Sequence, residues 1–161
     1  MRRLVPDGGR AGHGHGHGQR PGRHGQHGNA RGGREELGCP SAAAVSAAAG
    51  TAYLPPQAQT RSGALDCTYQ GNSTLLLISL AKSQFPASDL REVVANQPTG
   101  GGVKLTPVSG IGDAAFVITF TGAAEPGGLE LIAQSGSHEV TVLGPANIGP
   151  AKAIARLALG L

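Results

Sequence analysis

The chain of 161 residues has few aromatic and few charged side chains. Aromatic residues make up 3% of it, Trp is absent, and charged residues make up 14%, so a folded core must be built from Leu, Ile, Val and Ala. Long apolar runs are also missing: none approaches the roughly 20 residues of a membrane-spanning helix, and no transmembrane segment is predicted. Only two cysteines are present, too few for a tetrahedral zinc site of four cysteines.

The charge is distributed unevenly. Residues 1–38 carry seven Arg and three acidic residues, a net charge of +4, whereas residues 39–161 carry six basic and seven acidic residues, a net charge of −1. We predict a disordered Gly/His/Arg-rich tail over 1–38, which has too little apolar surface to offset the entropy of ordering, and a single folded domain over 39–161. The basic isoelectric point belongs to the tail, so it does not indicate specific nucleic-acid binding.

The tail contains five of the six histidines, several alternating with Gly. Imidazoles in such a tract can bind Zn²⁺, Ni²⁺ or Cu²⁺ weakly. The alternative is a low-complexity extension without a selected role, which the composition favours. The candidate metal ligands are His13, His15, His17, His24 and His27.

Three segments of the domain have helical patterns. Residues 41–49 are Ala-rich, with Ser41 as N-cap and Gly50 directly after the last turn. Residues 86–96 have apolar side chains at helical spacing. Near the C-terminus, residues at i, i+3, i+4 and i+7 form one apolar stripe. The residues of this stripe are Ile154, Leu157, Ala158 and Leu161.

Other segments have strand patterns. Residues 64–80 and 129–143 each predict a β-hairpin, because strand-forming segments flank a turn. Residues 103–108 predict an edge strand because they include a Pro, whereas residues 51–62 predict a loop. Together these patterns predict an α+β fold, with an antiparallel sheet of five to six strands and about three helices covering one face.

The segment 109–120 combines a Gly-rich turn with a strongly strand-forming run. Gly110 and Gly112 can take positive φ, and Asp113 readily hydrogen-bonds to nearby backbone. The following residues, 114–120, predict the central strand of the sheet. The turn also matches a relaxed dinucleotide-binding pattern, but that chemistry needs a helix after the glycines, so a turn is favoured over a nucleotide site.

Cys39 and Cys67 lie just before the first predicted helix and in the first predicted strand. They form either a disulfide, which would indicate an oxidising compartment, or two buried free thiols.

Several short motifs resemble those of a family of small actinobacterial cell-envelope lipoproteins, a domain of unknown function. They are Cys39-Pro40, the short helix ending at Gly50, Cys67-Thr68-Tyr69, the segment from Gly110 to Phe116, and the Ala/Leu helix near the C-terminus. The resemblance covers residues 39–161. It implies an extracytoplasmic, lipoprotein-like protein whose paired cysteines form a disulfide, and it carries no catalytic residue to this chain.

The first 38 residues depart from that family. Residues 36–39 resemble a lipobox superficially, but no apolar segment precedes them, so Cys39 is interpreted as a disulfide partner. Arg2-Arg3 also lacks the apolar segment of an export signal. The sequence as written therefore predicts a lost export signal or a misassigned start. We expect an extracytoplasmic location, in the cell envelope or secreted, with a cytoplasmic one as the alternative.

The sequence contains no constellation that identifies a reaction. The first hypothesis is a non-enzymatic domain without a cofactor, which binds an envelope partner or a small apolar ligand in a cleft beside the Gly-rich turn. One alternative is a metal-binding accessory protein acting through the tail. Another is a small hydrolase using Asp113 or His138, although both fit turn positions better than catalytic ones.

Overall fold

The structure is a computed structural model. It describes residues 37–96, 102–120 and 129–161. The predicted disordered tail therefore lies outside the described residues, apart from Leu37 and Gly38, and its boundary stays a prediction. The elements are, in chain order, α1 (Ala42–Ala49), β1 (Gln57–Arg61), β2 (Ala64–Gln70), β3 (Leu75–Lys82), α2 (Ala87–Ala95), β4 (Val103–Pro107), β5 (Ala114–Phe120), β6 (Glu130–Ser135), β7 (His138–Leu143) and α3 (Ile148–Ala158).

The described strands form one antiparallel sheet in the order β1-β2-β3-β7-β6-β5-β4. The predicted α+β class with an antiparallel sheet is confirmed, but the sheet has seven strands rather than five to six. The extra strand is β1, within the predicted loop. The prediction that 114–120 is the central strand is wrong, because β7 pairs with β3 and so occupies the centre, leaving β5 next to the edge strand β4.

The main core lies on the face of the sheet that α1 and α3 cover. Alternate side chains of the sheet, such as Ile78, Val140 and Leu131, are fully buried there against Val45 of α1 and Ile154 of α3. The predicted stripe on the last helix is partly wrong, because Leu157 and Leu161 are exposed. The buried residues of α3 are Ala151, Ile154 and Ala155.

The helix α2 lies on the opposite face, so the prediction that the helices cover one face is wrong. Phe116 pairs with Pro107 and, with Ala114 two residues away, points away from the core face on which Ala115 and Val117 lie. The helix α2 contacts β4 and β5. The sheet side of this contact is formed by Pro107, Ala114 and Phe116.

A disulfide joins Cys39 to Cys67, with the two Cα atoms 5.7 Å apart, as predicted. It ties the segment before α1 to β2. The predicted N-cap is also confirmed, because the Ser41 hydroxyl accepts a hydrogen bond from the backbone N–H of Ala44. These two features fix where α1 begins above the sheet.

Tyr69 of β2 also contacts the segment before α1. Its hydroxyl donates a hydrogen bond of 2.6 Å to the carbonyl of Pro40, and its ring meets Tyr53 edge to face. The side chain is fully buried, and this burial raises the pKa of Tyr69 to about 12.

We expect the protein to lose stability in strong alkali through Tyr69. A raised pKa means that the folded state favours the neutral phenol, so this contribution is complete below the unfolded pKa of 10.0 and is lost as the pH rises towards 12. Two pKa units correspond to about 2–3 kcal/mol of unfolding free energy. Urea unfolding of the wild type and Tyr69→Phe at several alkaline pH values checks this. The wild type should lose more stability than the variant, and parallel losses would contradict the prediction.

Candidate functional site

An apolar cleft of about 250 Å³ lies between α2 and the ends of β4 and β5. It is open to solvent on one side, and apolar side chains supply nearly all of its wall. The lining residues are Leu90, Arg91, Val94, Ala95, Pro107, Ala114, Ala115 and Phe116.

The helix wall of the cleft follows from the spacing of residues along α2. Leu90, Arg91, Val94 and Ala95 fall at i, i+1, i+4 and i+5, which places them on one side of a helix. The remaining side carries the exposed Val93 and acidic residues. No side chain of α2 is fully buried, so the helix rests on the sheet without filling the space beneath it.

The sheet wall is formed by short or rigid side chains. Ala114 and Phe116 are buried on β5, and Pro107 pairs with Phe116 from the edge strand β4. The small side chains of Ala114 and Ala95 leave room that larger residues would occupy. Small side chains on both walls therefore leave the space of the cleft unfilled.

The Gly-rich turn borders this cleft and is anchored on several sides. Gly110 and Gly112 have φ of 82° and 51°, which confirms the predicted positive φ at both. The backbone N–H of Asp113 donates to the carbonyl of Gln134, and its carboxylate accepts from the N–H of Gly136, each at 2.7 Å. The Arg91 guanidinium donates to the carbonyl of Asp113. The turn thus links α2 to the β6–β7 hairpin.

Gln134 secures the chain just before α2. It is the one buried polar side chain among the described residues, and its amide donates to the carbonyls of Phe85, at 2.9 Å, and Gly136, at 3.2 Å. Its side-chain oxygen has no hydrogen-bond partner within the described part of the chain. Gln134 therefore holds the segment before α2 to the sheet, while Arg91 joins the middle of the helix to the Gly-rich turn.

The structure does not bring the two residues of the hydrolase hypothesis into one described cavity. Both lie at the end of the sheet where β6 and β7 are connected. The carboxylate of Asp113 is engaged by Gly136 in the turn, whereas His138 lines a separate cavity of about 380 Å³ beside the end of α3. Their roles stay predictions, as does the absence of enzymatic activity.

The histidines predicted to bind metal, at positions 13, 15, 17, 24 and 27, lie outside the described residues. Within 37–96, 102–120 and 129–161, no group of three or more His, Cys, Asp and Glu side chains could hold a metal ion. None of the helices in these ranges is long and apolar enough to cross a membrane.

Most of the cleft residues are absent from the sequence predictions of function. Leu90 was included there only through helical spacing and Ala114 only through the motif of the resemblance, and no functional role was predicted for Arg91 or Pro107. Nothing local in the sequence shows that α2 packs on β5, since those contacts skip the intervening strand β4 along the chain.

The same face of the sheet also presents exposed apolar side chains away from α2. They come from different strands but share one side of the sheet, as their pairing register shows. These residues, called here the open-face residues, are Leu75, Val103, Phe120 and Leu143.

Comparisons of the chain with protein-family models, curated proteins and solved structures found no match.

Proposed function

We propose that this domain is a non-enzymatic, extracytoplasmic binding domain that holds a small apolar molecule in the cleft between α2 and the β4–β5 end of the sheet. The observation that carries the proposal is the cleft itself: an apolar space under a helix that buries none of its own side chains fully. Its volume is just below the range of about 300–1,000 Å³ usual for ligand sites, which favours a small ligand.

The cleft leaves apolar side chains of α2 partly exposed to solvent. Leu90 and Val94 are only half-buried, although they face the sheet. A ligand that enters the cleft removes this surface from water, which contributes about 25 cal/mol for each Å² of apolar area. An occupied cleft would also hold α2 more firmly on the sheet.

The disulfide supports the proposed location. Such bonds persist in oxidising compartments and are rare in the cytosol, and this one is formed between the only cysteines of the chain. The resemblance to actinobacterial envelope lipoproteins favours the same location and stays a prediction.

We expect Leu90→Glu to weaken binding of a neutral apolar dye, such as N-phenyl-naphthylamine, by about tenfold or more. The substitution places a carboxylate in the apolar cleft, where it must be desolvated when the dye binds. Fluorescence titration of the dye into the wild type and the variant measures the change.

The matched control is Val93→Glu, which adds the same charge to the same helix at an exposed position outside the cleft. Its affinity for the dye should equal that of the wild type. Equal weakening in both variants would indicate that helix charge, rather than the cleft, governs binding, and would count against the proposal.

A second candidate function is partner binding through the open-face residues, because exposed apolar side chains on one face of a sheet can form an interaction site. If the dye binds there, Phe120→Ser should weaken its binding while Leu90→Glu does not.

The metal-binding and hydrolase hypotheses are tested separately. Calorimetric titration of Ni²⁺ into the full chain, with and without Ala at the five tail histidines, tests the first. Equal heats would exclude it.

Assays with ester and phosphoester substrates test the hydrolase hypothesis, with His138→Ala and Asp113→Asn as the decisive variants.

A further inference from the structure

We infer that the ligand of this cleft is an amphipathic monocarboxylate, with its apolar chain in the cleft and its carboxylate on Arg91. This rests on the proposed function and adds the chemical class of the ligand. Arg91 is the only charged side chain among the described residues that line the cleft.

The position of Arg91 suits this role. It shares one side of α2 with Leu90 and Val94, and it both lines the cleft and is exposed to solvent. Its described hydrogen bond, to the carbonyl of Asp113, engages one of its nitrogens. A guanidinium has five N–H donors, so further donors remain for a carboxylate, which it can bind in a bidentate manner.

Charge balance around the cleft favours a monoanion. No carboxylate among the described residues forms an ion pair with Arg91. Asp89 and Glu92 occupy the other side of α2 and are exposed. The carboxylate of Asp113, in the turn that borders the cleft, accepts a hydrogen bond from the backbone N–H of Gly136. The positive charge of Arg91 next to an apolar wall matches one negative charge joined to an apolar chain, and Arg91 would repel a cationic amphiphile.

Calorimetric titration of the full-length protein with octanoate, octanol and octylammonium tests this inference. These molecules share one alkyl chain and differ in head-group charge. The wild type should bind octanoate about tenfold more tightly than octanol, as one charge-assisted hydrogen-bonded pair predicts, and octylammonium more weakly than octanol. Added salt should reduce the preference for octanoate, because the site is open to solvent.

Arg91→Gln should bind octanoate no more tightly than it binds octanol, and circular dichroism shows whether the variant is folded. Arg156→Gln, an exposed cation on α3, is the matched control and should behave as the wild type. If the wild type binds octanol and octanoate equally, the inference is wrong while the proposed function stands. If it binds neither, both are wrong. If Arg91→Gln weakens both equally, Arg91 acts on the fold of the cleft, and the inference is also wrong.

Discussion

Replacing Gly112 by Ala is expected to lower the free energy of unfolding by about 3 kcal/mol. The residue has a φ of 51°, where a side chain costs about 1–2 kcal/mol. An added Cβ would also overlap the carbonyl oxygen of Gln134 and lie 2.9 Å from its carbonyl carbon. That backbone is part of β6 and cannot move without disturbing the sheet, so overpacking adds about 1–3 kcal/mol. Urea denaturation followed by circular dichroism measures the loss.

Gly110→Ala provides a matched control two residues away in the same turn. Its φ is 82°, but an added Cβ would meet nothing closer than the amino group of Lys152 at 3.9 Å. It should therefore lose only about 1 kcal/mol, the cost of the backbone conformation alone. Equal losses in the two variants would contradict the close approach of this turn to β6.

Removal of the disulfide is expected to cost roughly 3–4 kcal/mol. Cys39 and Cys67 are separated by 28 residues, and closing a loop of this length restricts the unfolded chain by that amount in the chain-entropy model. The loss should be seen on reduction of the wild type with a phosphine and, at similar size, in the double variant Cys39→Ala with Cys67→Ala. Urea unfolding with and without the reductant measures both.

The double variant is the control for the reductant, because it has no disulfide to reduce and its stability should not change. A single substitution of Cys67 is less informative, since it also removes packing from a fully buried position. If reduction of the wild type changes the unfolding midpoint by no more than it does in the double variant, the disulfide is not formed in solution, and the argument for an oxidising compartment fails.

Local signals in the sequence predicted most of the elements. Ser41 caps α1, alternation in 64–70 places Cys67 and Tyr69 on the buried face, and the segment before β5 forms the expected turn. Each of these depends on neighbouring residues alone: a cap, a two-residue period or a positive φ at Gly.

The strand β1 was not predicted because its five residues are all exposed and show no alternation. One local signal was nevertheless present. Ser62-Gly63 connects β1 to β2, and both residues have positive φ, of 48° and 84°, as in the tight two-residue turns of hairpins.

A cleft beside the Gly-rich turn was expected, but the residues that line it could not be predicted, because the cleft depends on long-range arrangement. Helical spacing shows that Leu90 and Val94 share a side of α2, but it does not show which face of the sheet they meet. Helical spacing also does not show which strands they meet, and this follows from the strand order, in which β7 pairs with β3 and leaves β4 and β5 at one end. The stripe predicted on α3 failed similarly, because α3 uses Ala151 and Ala155 to approach the sheet closely and leaves Leu157 outside.

The most direct test of binding in the cleft is a titration of the ¹³C-methyl-labelled protein with octanol, followed by nuclear magnetic resonance. The methyl signals of Leu90, Val94 and Ala114 should shift together and saturate, while those of the open-face residues Leu75 and Leu143 stay in place. Shifts confined to Leu75 and Leu143, or none at saturating octanol, would contradict the proposal that the cleft under α2 is the binding site.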